Sequence, residues 1–244
     1  MDKDGKIEER IELSKEIRKA EKPRKSDDEI YNYFFKNLNA NGVEYNYVRD
    51  LDKKLSSEEI IKRLAGGDMT KGSCASVGLA YIGQKQGWDV LDFRDGQSRI
   101  FFSCSANLFK LSKTNGIRSL RADGKSSMTV GNRLLKQIEA DKEYYLCVGK
   151  HASIVRKTDT GKLQYLELQS SSHNGWIDFD GNPKYTLHER FGCTTTSDRG
   201  ASSYFDFMID IAESDFKTQD FKSLLGYINT ANSEQRKGTH GTIK

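Results

Sequence analysis

Three strand-like runs follow one another with only short connections: "YYLCVG" from Tyr144, "HASIVRK" from His151 and "LQYLELQ" from Leu163. Between the second and third, "KTDTGK" carries the glycine of a hairpin turn. Strands joined by hairpins pair antiparallel. Ahead of this block the apolar residues recur at helical spacing, so helices come first and an antiparallel sheet second. The expected class is α+β, a helical N-terminal half followed by the sheet.

The segments around this block can be placed from their caps and periodicity. "SDDE", Ser26 to Glu29, reads as a capping box opening a helix with Ile30, Tyr33, Phe34 and Leu38 on one face, ending near Gly42. "SSEE" from Ser56 opens a shorter helix that stops at Gly66 and Gly67. A helix follows Cys74 and ends at Gly87, and "DVLDF", Asp89 to Phe93, reads as a strand. Further helices are expected over roughly Gln97 to Leu111 (Ile100, Phe101, Leu108, Phe109) and Ser127 to Asp141 (Val130, Leu134, Leu135, Ile138). "YFDFMIDIA" alternates Phe205, Phe207, Ile209 and Ile211 as a strand does, and "TQDFKSLLGYIN" reads as a last helix with Phe221, Leu224, Leu225 and Ile228 inward. Residues 1–25 are a charge-dense arm or linker broken at Pro23, residues 26–230 form a single domain, and 231–244 a flexible polar tail.

Composition excludes several classes. No run of about 18 apolar residues exists to cross a membrane, and the N-terminal stretch lacks the apolar core of a signal peptide. The 39 basic and 35 acidic residues leave a net charge of +4, too mild to argue for nucleic acid. Cys74, Cys104, Cys147 and Cys193 form no CxxC pair, so neither a disulfide framework nor a zinc site is expected, and no cofactor is called for. They read as free thiols made in a reducing compartment, about three of them buried and inert.

The fourth thiol is different. Cys74 follows Gly72 and Ser73 at the first turn of its helix, where unpaired N–H groups and the positive dipole end favour a thiolate. Alone, such a cysteine serves equally well as a small hydrophobe at the start of a buried helix. His151 changes the balance: it opens an apolar strand, a poor place for an imidazole without polar partners. Sixteen positions on, the next strand carries Glu167, with Gln169 on the same face. Either can orient the ring and hold its tautomer. Cysteine, histidine and polar orienter together have the form of a nucleophile, its base and a third group.

"GSCAS", "KHASIV" and "YLELQS" resemble the three motifs of the papain-like fold, over about residues 66–170. More narrowly, "GWDVLDF" after the cysteine helix and "LELQ" are similar to papain-like toxin domains of bacterial polymorphic toxins, some of them protein-glutamine deamidases. Similar C-terminal domains occur on prophage head-morphogenesis proteins of the Mu type. The resemblance implies Cys74 as nucleophile, His151 as general base, Glu167 as acidic orienter and Gln169 as the family's glutamine. It also implies a protein substrate, an immunity or carrier protein as partner, and delivery into a target cell or carriage by a phage particle after synthesis in the cytoplasm. Two positions depart from papain: Asp68 stands where papain has its oxyanion-binding glutamine, and Ala75 where it has an aromatic residue. The Cys74 N–H then needs a second donor to hold an oxyanion.

The reaction implied is acyl transfer from an amide through a thioester, as hydrolysis of a glutamine side chain, hydrolysis of a peptide bond, or transfer to an amine. A non-catalytic binding or phage structural module is the alternative; the basic arm, Arg94 and Arg99 of "RDGQSR" and the carboxylate at Asp68 speak for it. In "SSSHNGW", similar to papain's asparagine–tryptophan segment, Asn174 reads as a turn residue before Gly175, Trp176 as a core or rim aromatic and His173 as a solvated loop histidine.

Overall fold

The structure, a computed structural model, describes residues 23, 25–65, 73–91, 96–170, 173–197 and 203–229. Nearly all of the expected arm at 1–25, the tail at 231–244, Gly66, Gly67, Asp68 and Arg94 therefore lie outside the described residues. Helix α1 (Glu29–Ala40) starts later than the SDDE reading placed it: Asp28 is the cap, its Oδ1 accepting from the N–H of Ile30 at 2.7 Å and of Tyr31 at 3.3 Å. The Ser26 hydroxyl instead donates to Asp220 at 2.6 Å, tying the start of the domain to its end. The buried stripe is Tyr31, Phe34, Phe35 and Leu38, the i, i+3, i+4, i+7 face, while Tyr33 is 39% exposed and Ile30 half-buried. Helix α2 (Ser57–Leu64) has the expected reciprocal cap between Ser56 and Glu59.

Helix α3 (Cys74–Lys85) is buried on every side from Ala75 to Gln84, which marks a core helix rather than a surface one. The long polar side chain in this buried stretch is satisfied: Gln84 donates to the Val90 carbonyl at 2.8 Å and accepts from Arg63 at 3.1 Å. That side-chain capture, with the Leu91 N–H donating to Asn229 at 3.3 Å, is why the strand after Gly87 is shorter than "DVLDF". It spans β2 (Trp88–Asp89) and pairs with β1 (Arg49–Asp50) in a separate two-stranded sheet.

The helix expected over 97–111 is two helices, α4 (Gly96–Ser103) and α5 (Ser105–Leu111), broken where Cys104 turns extended. The Asn107 side chain donates to the Phe101 carbonyl at 3.0 Å across the break, and Ile100 is 58% exposed rather than inward. After strand β3 (Ser119–Leu120), helix α6 (Ser127–Leu135) ends well before Asp141, which adopts a positive φ of 59°; Ile138 is nonetheless buried beyond the helix.

The main sheet also contains β4 (Glu143–Val148), β5 (His151–Lys157), β6 (Leu163–Glu167), β7 (Gly175–Asp178) and β8 (Phe207–Asp210). Its order is β3-β8-β4-β5-β6-β7, with every pairing antiparallel. Helix α7 (Pro183–Glu189) follows β7, and α8 (Gln219–Leu225) closes the domain. The class is α+β, with most of the helices ahead of the sheet. None of the described helices is long and apolar enough to cross a membrane.

Both faces of the sheet are covered, which is why "YYLCV" reads as an unbroken apolar run. Tyr145, Cys147, Ala152, Ile154, Leu166, Phe207 and Ile209 face the core that contains α3. Tyr144, Leu146, Val148, Val155 and Met208 face a second core, with Leu134 of α6, Leu187 of α7 and Phe191.

The docking of α3 on the sheet depends on Gly78. A Cβ added there would stand 2.5 Å from Cε2 of Tyr145, a fully buried ring whose hydroxyl donates to the Ala75 carbonyl at 2.6 Å. The ring cannot yield without breaking that bond. Gly78→Ala is therefore expected to destabilise the fold by about 1–3 kcal/mol despite its better helix propensity. Urea denaturation measures this, and a neutral or stabilising effect would show that the helix can lift from Tyr145 at no cost.

Candidate active site

One cleft is lined by Cys74, Val77 and Gly78 of α3, by His151 to Ile154 of β5, and by Leu166 to Gln169 at the end of β6. It is small and partly open to solvent. All four residues singled out in the sequence thus reach the same wall-to-wall space. It is lined by the apolar residues Val77, Ala152, Ile154, Leu166 and Leu168 and by the polar residues Cys74, His151, Ser153, Glu167 and Gln169.

Cys74 is the first residue of α3 and is half-buried. Ser73 caps the helix by position only, since its side chain makes no cap bond. The buried hydroxyls of Ser73 and Ser76 have no hydrogen-bond partner, so the first turn holds its thiol among unspent polar groups. Cys147 and Cys193 are buried, and burial pushes their thiols up, that of Cys193 to about 12. Cys104 is exposed, so two cysteines are buried where about three were expected. The split of the 97–111 helix is what leaves Cys104 outside.

His151 is placed by the two-residue turn Gly149–Lys150 between β4 and β5. Gly149 has a φ of +61° at the first turn position, the left-handed conformation this hairpin requires. The turn is gripped from outside: the Gly149 N–H donates to Asp206 Oδ1 at 3.0 Å, and the Lys150 N–H to the Phe191 carbonyl at 2.8 Å. The imidazole stands edge-on to the Phe191 ring, with centroids 5.1 Å apart. Burial, and then the charge of Arg190, push its pKa from the ordinary 6.5 down to about 3. At neutral pH it is an uncharged base.

The register of β5 and β6 pairs Val155 with Tyr165. The paired stretch ends there, short of His151 and Gln169. Glu167, 6% exposed, has both oxygens engaged: Oε1 accepts from the Gln169 N–H at 2.7 Å, and Oε2 is paired with the guanidinium of Arg190. Neither Glu167 oxygen is bonded to His151. Cys74 packs with the α3 core and His151 meets Phe191 of the second core, so the two approach the cleft from opposite layers at the strand ends.

Arg190, Phe191 and Asp206 were not legible as site residues. Arg190 follows α7, a helix without a strong sequence signal, and all three reach the site only through tertiary packing. The loop after Gln169 is as its turn chemistry suggested. Asn174 accepts from the Ser170 N–H at 3.2 Å and donates to its carbonyl at 2.7 Å, and Gly175 has a φ of +122°. His173 is exposed, and Trp176 is half-buried under the Arg156 guanidinium at 3.9 Å. No three His, Cys, Asp or Glu side chains come together as metal ligands among the described residues. No protein-family model, curated protein or solved structure matches the chain.

The suppressed basicity of His151 has a sign that can be measured. Below pH 6.5 an unfolded chain takes up a proton at this ring that the folded chain refuses until about pH 3. Stability therefore falls as the pH drops through that window, and this contribution is absent above it. His151→Asn should lose less stability than the wild type between about pH 7 and pH 4 in urea denaturation at each pH; equal losses would mean that the ring titrates normally in the fold.

Proposed function

We propose that this protein is a cysteine-dependent hydrolase of protein amides, with Cys74 as nucleophile and His151 as general base. The observation that carries the reading is the shared cleft: Cys74, at the first turn of a buried helix, and His151, at the start of β5, line one small opening. The neutral ring takes the thiol proton as Sγ bonds to the amide carbon. The tetrahedral intermediate collapses with the C–N bond breaking, and the leaving amine or ammonia takes the proton back from the imidazolium. Water then attacks the thioester, His151 accepting its proton and returning it to the departing sulfur.

Gln169 is the favoured orienter of the imidazole, since both Glu167 oxygens are engaged elsewhere. Glu167 acts one step back, holding the Gln169 backbone. The form of the reaction proposed is glutamine deamidation of a protein substrate, in the manner of the toxin and phage-associated domains that the motifs resemble. A non-catalytic binding module is the second reading. It is favoured by the engagement of both Glu167 oxygens away from the histidine.

Two measurements separate these readings. Iodoacetamide should modify Cys74 selectively near neutral pH, and the rate should drop at least about tenfold in His151→Ala. Mass spectrometry of a protein pool treated with the wild type but not with Cys74→Ala should show gains of about one dalton at glutamines, the mass change of amide-to-acid hydrolysis. Backbone cleavage would mean a protease and crosslinks would mean acyl transfer to amines. An unreactive Cys74 with no product of any kind would leave the binding module.

A further inference from the structure

Away from the cleft, three cations are held by aromatic rings rather than by carboxylates. Lys110, in the last turn of α5, sets its Nζ 3.6 Å from the ring centre of the exposed Tyr33. Lys113 and Arg121 both lie over the Phe109 ring, 4.3 Å and 4.4 Å from its centre. Arg121 also donates to the Tyr204 carbonyl at 2.7 Å, and the Tyr204 ring, 59% exposed, meets Phe109 edge-on at 5.4 Å. Such contacts restrain long side chains that solvent otherwise leaves free to rotate.

Charge balance sets this surface apart. Several other cations are matched by the chain's own acids: Lys53 by Glu59 at 2.7 Å, Lys85 by Glu143 at 2.7 Å and Lys142 by Glu139 at 3.0 Å. Among the described residues, no carboxylate forms an ion pair with Lys110, Lys113 or Arg121. Asp28, which reaches the loop after α5, has both oxygens committed: Oδ1 to the start of α1 and Oδ2 to the Asn115 N–H at 2.9 Å. Two like charges over one ring repel each other, and a carboxylate set beside both relieves that repulsion.

The rings narrow the choice of anion. Tyr33 already carries an ammonium, Tyr204 has the Arg121 guanidinium at 5.5 Å, and Phe109 is buried, so none is an open platform for a stacked base. The net charge of +4 also lacks the strongly basic field of a nucleic-acid binder. Tyrosine and arginine are, by contrast, enriched where proteins meet proteins. The surface lies at the end of the sheet that holds the cleft. Tyr204 leads into β8, whose Phe207 pairs with Cys147 of β4, and the next residue of β4, Val148, pairs with His151. A partner seated there stands two strands from the start of β5, about 10 Å across the sheet.

We propose that Lys110, Lys113 and Arg121, framed by Tyr33 and Tyr204, are a docking surface for an acidic segment of a partner protein, whose carboxylates complete the ion pairs this chain leaves open. The proposal is independent of the amide chemistry at the cleft, and its test needs no turnover.

A poly-glutamate peptide of about 20 residues is the probe. Titrated into isotopically labelled protein, it should bind saturably and shift amide signals over residues 109–121 and around Tyr33 and Tyr204. The affinity should fall as salt rises. The triple variant Lys110→Glu, Lys113→Glu, Arg121→Glu should bind at least about tenfold more weakly. Reversing three exposed lysines elsewhere, Lys54→Glu, Lys62→Glu and Lys184→Glu, changes the net charge equally and should weaken binding about twofold or less. Equal losses in the two variants, shifts scattered over the whole surface, or no binding at all overturn the proposal. Should the triple reversal not fold, Lys113→Gln with Arg121→Gln should still weaken binding about threefold or more, and unchanged binding overturns it. Tighter binding of an oligothymidylate of matching length, or of phosphatidylserine vesicles, through the same residues would assign the surface to nucleic acid or membrane and overturn the protein partner.

Discussion

Everything at the site follows from how closely α3 lies on the sheet. The bare backbone of Gly78 lets the Tyr145 ring pass beside the helix, and the Tyr145 hydroxyl locks onto the carbonyl of Ala75. That contact is one residue from Cys74. It sets the height of the helix start above β5, and hence which part of the sheet the thiol shares a cleft with. A helix buried over ten successive residues has no solvent-facing stripe to let it rotate or slide. The position of the sulfur is consequently a property of the core.

On the other side of the cleft the constraint is electrostatic. A carboxylate as buried as Glu167 must be paired, and Arg190 supplies the charge while the Gln169 N–H supplies a second donor. The histidine feels the Arg190 charge as well, which adds to burial in disfavouring its protonated form. The sheet side of the site is thus organised around an ion pair, the helix side around close packing, and the cleft opens where the two layers end.

Much of the local structure was legible because it has local causes. The Ser56–Glu59 box, the hairpin glycine at Gly161 and the glycine after α3 each act within a few residues, and the structure has them where the sequence placed them. Ser26 shows the failure of the same logic: its hydroxyl serves Asp220, 194 positions away, and Asp28 takes the cap. The break at Cys104 depends on Asn107 reaching back to Phe101, and the short β2 on Gln84 and Asn229 capturing the backbone that would have extended it. The strand β7 and helix α7 had weak signals of their own and are set by what they cover. The histidine, the glutamate and the glutamine could be named as one group because strand alternation and a hairpin relate them. Their partners Arg190, Phe191 and Asp206 come from segments that no local rule connects to them.

The sequence by itself determined the α+β order, the antiparallel block from Glu143 to Glu167 and the placing of a thiol at a helix start, since these rest on periodicity, turn geometry and caps acting over a few residues. Only the tertiary structure decided that Cys74 and His151 line one cleft from opposite layers, and that Arg190 and the Gln169 N–H claim the Glu167 carboxylate. Burial and charge pairing act between segments brought together by collapse, and their strength depends on distances that spacing along the chain does not encode.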